Sequence, residues 1–173
     1  MTTAHLSVRR ATDDDIDTLV SLYEGAARWM LEHGITQWQP GAKDERHFGR
    51  LIESPRAEVW LAHDADGTAL GAYELWWSDE QAWGVRPPVA GYVHRLMTRR
   101  GAPAGTGRAL LRDAELRIAG AGRALSRLDC VATNPRLRTY YEAAGYAVVG
   151  ELADKVAADG TSYGVLLLEK PLG

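Results

Sequence analysis

Apolar positions mark out the elements of this chain before any chemistry is considered. Ile16, Leu19, Val20, Tyr23, Ala27, Met30 and Leu31 recur at helical steps, which predicts a helix over 13–33 with one apolar face and a candidate break at Gly25. Thr12 and Asp15 have the spacing of a capping box just ahead of that face, 6–10 reads as a first strand, and Gly34 stops the helix. A polar and aromatic loop over 34–42 leads to Asp44, which is placed to cap a short helix carrying Phe48, Leu51 and Ile52 and ended by Ser54-Pro55. Residues 58–63 and 69–77 read as antiparallel strands joined through the turn Asp64-Ala65-Asp66-Gly67.

The second half continues the alternation. Residues 78–90, with Asp79, Glu80 and the stiff Pro87-Pro88 pair, predict a loop without helix or strand. A strand over 91–98 then runs through a glycine-rich turn into a helix with Leu110, Leu111, Ala114 and Ile118 on one face, ended by Gly120 and Gly122. Residues 126–131 form a strand with Leu128 and Cys130 on one side. Asn134 caps a further helix with Pro135 at its first position, a buried stripe of Leu137, Tyr140, Tyr141 and Ala144, and Gly145 as its close. Strands over 146–152 and 163–168 connect through Asp159-Gly160. No repeat or linker interrupts the chain, so 1–173 reads as a single domain.

Composition narrows the class. With 46% hydrophobic and 25% charged residues the chain has enough material for a packed core. The single cysteine, Cys130, excludes an internal disulfide and reads as a small buried strand residue, which fits a reducing compartment. The start MTTAHLSVRR lacks the pattern of a secretory signal and no stretch approaches about 20 apolar residues, so the expectation is a cytoplasmic protein with no membrane association. Five histidines without paired spacing predict no metal. Net charge is −3, but Arg95 to Arg138 holds ten basic and three acidic residues, +7, leaving −10 for the remainder. That stretch lacks interleaved aromatics, so no nucleic acid is expected as partner. Both monomer and homodimer remain open.

The segment Gly101 to Arg108 (GAPAGTGR) lies between a strand and a helix, where free backbone N–H groups and the helix dipole suit a phosphate. No Lys-Ser/Thr pair follows the glycines and Leu110 stands where a dinucleotide fingerprint needs its third glycine, so neither an NTPase nor a dehydrogenase fits. Taken with Tyr92 to Thr98 (YVHRLMT), Leu128 to Asn134 (LDCVATN) and Tyr140 to Tyr146 (YYEAAGY), this segment resembles the GCN5-related N-acetyltransferase family over roughly 58–152.

The resemblance implies an α/β (α+β mixed) fold whose central mixed, mostly antiparallel sheet is splayed between strands 4 and 5 and flanked by helices. It implies acetyl-CoA as cofactor, with the backbone of Leu96, Met97 and Thr98 along the pantetheine and a Leu96 or Met97 amide at the oxyanion. Ala104, Gly105, Thr106, Gly107 and Arg108 would meet the pyrophosphate, and Asn134 the cofactor side. Ala102 departs from the Gln or Arg usual there, which removes one side-chain contact. Tyr141 matches the tyrosine that protonates the departing thiolate. A phenol with its pKa near ~10 stays protonated at neutral pH and can serve a thiol whose pKa is near ~8.5.

For the base, His94, two positions from Tyr92 on the same strand face, is one candidate and Glu74 a second. The acceptor side would draw on Trp29, Trp38, Gln39, Trp76, Trp77, Asp79, Glu80, Trp83 and Tyr92, an aromatic and acidic set suited to a cationic amine. The expected activity is acetyl transfer from acetyl-CoA to a primary amine of a small molecule, amino acid or peptide end. The alternative is a non-catalytic acyl-CoA-binding regulatory or interaction protein on the same scaffold.

Overall fold

A computed structural model of the chain describes residues 6–35, 37–156 and 160–173. Its elements are β1 (Ser7–Arg10), α1 (Ile16–Glu32), α2 (Glu45–Glu53), β2 (Ala57–His63), β3 (Ala69–Trp76), α3 (Glu80–Trp83), β4 (Ala90–Thr98), α4 (Thr106–Gly120), β5 (Leu125–Val131), α5 (Pro135–Ala143), β6 (Ala147–Val156) and β7 (Ser162–Pro171). The seven strands take the order β1-β2-β3-β4-β5-β7-β6. Pairing is antiparallel for β1 with β2, β5 with β7 and β6 with β7, and parallel for β4 with β5. This is the mixed, mostly antiparallel sheet with flanking helices that the motifs imply. The parallel register is short, from Ala90↔Leu125 to Tyr92↔Arg127, whereas β5 is zipped to β7 from Leu125↔Pro171 to Val131↔Val165.

The chain packs as two compact units. The first holds the residues up to Leu75 together with Arg95–Ala114. Its entry is fixed by Asp15, whose carboxylate accepts from the Arg9 guanidinium at 2.7 and 2.8 Å and from the Thr12 amide at 2.8 Å, completing the expected capping box. Leu19, Leu22, Tyr23 and Ala27 of α1 meet Phe48 of α2 and Val59, Leu61, Ala72 and Met97 of the strands in one buried cluster. Each large aliphatic or aromatic side chain so buried contributes about 1.5–3 kcal/mol. α1 is continuous through Gly25, which corrects the expected break; apolar neighbours on the buried face outweigh the glycine's weak helix propensity. Asp44 caps α2 as expected, accepting from the Arg46 and His47 amides at 3.1 and 3.2 Å. Gly71 has no room for a side chain: a Cβ there would collide with the Met97 carbonyl and sit 2.8 Å from Leu110. The absence of a side chain lets β4 and α4 close onto β3.

The second unit holds Trp76–His94 and Glu115–Gly173. Residues 80–83, expected as loop, form the one-turn helix α3, because the Asp79 carboxylate accepts from the Ala82 amide and Trp83 is buried. Trp83, Ala82, Ala90 and Tyr92 form its cluster, flanked by Trp76, Leu125 and Leu167. A polar chain runs through the other side of β5. Ser126 and Tyr146 share a hydrogen bond of 2.7 Å, the Tyr146 hydroxyl reaches Glu115 at 2.9 Å, and Lys170 reaches Glu115 at 2.8 Å. Asn134 caps α5 through the Arg136 amide at 3.2 Å, as expected. The expected buried stripe on α5 is corrected in degree: Leu137, Tyr140, Tyr141 and Ala144 are half-buried, and no residue of α5 is fully buried. β6 and β7 run longer than expected, with register irregularities at Val148/Gly150 and Leu152/Lys155. Of the expected Asp159-Gly160 turn, Asp159 lies outside the described residues.

Candidate active site

In the first unit the end of β4 carries a deviation from regular strand geometry. Arg95 has φ +45°, the left-handed region that a non-glycine residue enters at a cost of about 1 kcal/mol. Such a residue within a strand turns the following amides, here those of Leu96 and Met97, out of simple alternation. Its side chain explains how the deviation is held. Arg95 donates to Glu74 Oε1 at 3.1 Å, and His47 Nε2 stands 2.8 Å from Glu74 Oε2. Glu74 is wholly buried, so both of its oxygens are matched inside the protein.

The glycine turn follows. Thr106 anchors it, its hydroxyl donating to the Pro103 carbonyl at 2.6 Å. Gly105 has φ +89° and Gly101 φ +81°, and open space lies where a Cβ would stand at either. In the first turn of α4 the Thr106 amide donates to the Pro103 carbonyl at 3.2 Å and the Ala109 amide to the Gly105 carbonyl at 3.0 Å, which leaves the Gly107 and Arg108 amides to face a ligand. An anionic group can therefore approach this backbone closely, and the turn fits the pyrophosphate of acetyl-CoA. Ala104 and Gly105 are exposed; Gly107 and Arg108 are half-buried.

Other candidates of the first unit have partners of their own. Trp38 stacks on Tyr23 at 5.4 Å and the Gln39 carbonyl accepts from the Tyr23 hydroxyl at 3.0 Å, which ties this loop to α1. Burial pushes the Tyr23 hydroxyl up to about 12. Trp29 stacks on His33 at 4.2 Å and has the Arg100 guanidinium over its ring at 5.1 Å.

The second unit gathers the remaining chemistry. His94 lies flat on Trp76 with ring centres 3.9 Å apart, and its Nε2 stands 2.9 Å from Asp79 Oδ2. Both atoms are buried, and neither has a well-directed hydrogen bond. Burial alone would raise the Asp79 carboxyl. His94, the nearby Lys155 charge and the Ala82 amide together bring it below its ordinary value. Asp129 of β5 completes a cluster in which the Asp79, His94 and Asp129 donor atoms lie within 4.8 Å of one another. Lys155 of β6 reaches Asp129 Oδ2 at 2.9 Å.

Tyr141 packs edge-on against Tyr140 and Tyr146, with ring centres 5.2 and 6.0 Å away. Burial, followed by Tyr140, Cys130 and Asp129, pushes its hydroxyl above the usual phenol range, so it is protonated at neutral pH. Burial also lifts the Cys130 thiol to about 11, which leaves it no thiolate with which to act as a nucleophile. Tyr92 packs against Trp83 and accepts from Arg127 at 2.9 Å, and Trp77 lies beneath Arg123, whose head group also donates to its carbonyl.

Several arginines of the basic stretch are thus engaged internally: Arg95 with Glu74, Arg127 with Glu169, Arg138 with Glu142, and Arg123 with the Trp77 and Ala90 carbonyls. His47, Arg95, Asp129 and Lys155 were not singled out from the sequence as site residues. The signal available was the presence of Glu74, Arg95 and Asp129 within otherwise apolar strands, where each needs a partner on burial.

The sheet order and the glycine turn define the class as the GCN5-related N-acetyltransferase fold, and comparison with known proteins agrees. No family model matches the chain. It is 28% identical over 147 residues, 81% of each chain, to the uncharacterized N-acetyltransferase YesJ of Bacillus subtilis (strain 168). Its structure superposes with TM-score 0.77 on a GNAT-family acetyltransferase of Listeria monocytogenes, at 24% identity and covering 98% of both chains. It also superposes, with TM-score 0.69 and 19% identity over 96% of this chain and 99% of the other, on the PaiA N-acetyltransferase of Thermoplasma acidophilum in complex with coenzyme A. The chain is thus similar in sequence to a protein named as an N-acetyltransferase and shares the fold of the GCN5-related N-acetyltransferases.

Proposed function

We propose that this protein transfers the acetyl group of acetyl-CoA directly to a primary amine of a small molecule, amino acid or peptide end. The observation that carries this reading is that a candidate acid and a candidate base share a neighbour. The Asp129 charge acts on the Tyr141 hydroxyl, and Asp129 is also part of the cluster around His94.

Acetyl-CoA supplies an acetyl thioester whose carbonyl carbon is attacked by the amine lone pair while the C–S bond breaks. The glycine turn, through the backbone of Ala104, Gly105, Thr106, Gly107 and Arg108, holds the pyrophosphate. The backbone of Leu96, Met97 and Thr98 holds the pantetheine, and Asn134 adds a polar contact while capping α5. A Leu96 or Met97 amide, turned by the left-handed Arg95, donates to the oxyanion. Tyr141 gives its proton to the departing sulfur. His94 takes the amine's proton, directly or through water, at Nε2, the ring nitrogen that faces Asp79 Oδ2 at 2.9 Å. Glu74 is the weaker base candidate, because Arg95 and His47 already occupy its oxygens. Transfer is direct, since Cys130 stays a thiol.

The test has two parts. Acetyl-CoA should raise the melting temperature, because a ligand that binds only the native state stabilises it. Tyr141→Phe should lower kcat about 100-fold and leave acetyl-CoA affinity unchanged. A variant that keeps full turnover removes Tyr141 from the mechanism. Binding of acetyl-CoA without acetylation of any amine identifies a non-catalytic acyl-CoA-binding protein instead.

A further inference from the structure

The Asp79, His94 and Asp129 cluster lies wholly within the second unit. Two carboxylates and an imidazole converge there, with donor atoms within 4.8 Å of one another. The side chains of Asp79 and His94 are 3% and 9% exposed, and those of Asp129 and Lys155 are 13% and 15% exposed. A pair of carboxylates at such burial requires a cation. The cation present is the Lys155 ammonium, 2.9 Å from Asp129 Oδ2 and close enough for its charge to act on Asp79. Its match is incomplete, because Asp79 Oδ2 and His94 Nε2 are buried without a well-directed hydrogen bond.

An ammonium group offers three N–H donors. The cluster offers three acceptors: one oxygen from each carboxylate and, with the ring proton on Nδ1, His94 Nε2. Lys155 makes the Asp129 bond from β6, beside the register irregularity between Leu152 and Lys155.

We propose that Asp129, Asp79 and His94 form a subsite for the primary ammonium of a cationic acceptor, and that Lys155 occupies this seat until the acceptor displaces it. The proposal rests on the acetyl-transfer reading above and names its substrate class. It makes Asp129 a specificity-determining residue and Lys155 an internal competitor. An amine seated there has one N–H directed at His94, so recognition and proton removal fall on the same ring. Neutral acceptors gain nothing from the seat, and anionic ones are repelled.

Calorimetric binding of phenethylamine, 1,4-diaminobutane and the neutral phenethyl alcohol, with and without coenzyme A, tests this without requiring turnover. Lys155→Met should tighten both amines about tenfold, Asp129→Asn should weaken them about tenfold, and the alcohol should respond to neither. Lys155→Arg, which keeps the cation, should bind amines as the native protein does. Amine binding indifferent to Asp129→Asn overturns the proposal even if Lys155→Met fails to fold. It is also overturned if neither amine binds, or if Zn²⁺ occupies the cluster in the native protein while the amines do not. If the binding pattern holds but no acetylated amine forms, acetyl transfer fails and the subsite stands; transfer without the pattern overturns only the subsite.

Discussion

Two buried carboxylates near the middle of the chain have histidine partners, and they differ in how completely they are matched. Glu74 in the first unit has no exposure, with Arg95 on one oxygen at 3.1 Å and His47 on the other at 2.8 Å. Asp79 in the second unit faces His94 at 2.9 Å, but the contact is poorly directed, a second carboxylate stands beside it, and the balancing cation comes from a lysine on another strand. A fully satisfied buried charge holds backbone in place, and here it holds the left-handed Arg95 of β4. An incompletely satisfied one leaves acceptors free for a ligand. Both sets were candidates for the base from residue type alone, and the quality of their partnering separates them.

Substitution of Glu74 should have the largest effect. Glu74→Gln leaves Arg95 buried without its counter-charge and removes the support for its backbone, so stability should fall by about 3 kcal/mol in urea unfolding. An unchanged midpoint would remove the structural role assigned to Glu74. His94→Gln is the counterpart in the second unit. It should lower kcat about 100-fold, equivalent to ~2.7 kcal/mol of barrier, while the unfolding midpoint moves little. If the two variants exchange these signatures, the comparison is reversed.

The smallest effect is a control on the same principle, at a carboxylate whose partner Arg9 is half-exposed. Asp15 is held down to about 2 by its Arg9 hydrogen bonds, against the opposing effect of burial, with help from Thr12. A depressed carboxyl stabilises the fold above its unfolded pKa, near pH ~4, and loses that contribution as pH falls through the folded value. Screened by solvent at half-exposed Arg9, the pair should contribute about 1 kcal/mol. The stability difference between the native protein and Asp15→Asn should be full at neutral pH and vanish near pH ~2. A difference that grows on acidification would contradict the assignment.

Local rules made much of the fold legible. The caps at Asp44 and Asn134, the box at Thr12 and Asp15, and the strand, glycine turn and helix around Gly105 stand where short-range spacing placed them. The misses came from packing. α1 passes through Gly25 because its apolar face is held along its length, and α3 exists because a single cap and a buried Trp83 stabilise one turn that propensity alone would not. At the site, Tyr141, His94 and Asp79 could be singled out by residue type and motif. The sequence-distant pairings could not: Glu74 with His47, and Asp129 with Lys155, follow from strand order and register that no local window encodes. For the same reason the net +7 of the Arg95–Arg138 stretch does not show that Arg95 is paired with Glu74 and Arg127 with Glu169.

The central claim is acetyl transfer to an amine, and the most direct measurement is the initial rate of coenzyme A thiol release from saturating acetyl-CoA across a panel of primary amines. The account predicts release that depends on the amine, saturates with its concentration, and yields one acetylated amine per thiol. Demonstrable acetyl-CoA binding with no amine-dependent release across that panel would contradict it.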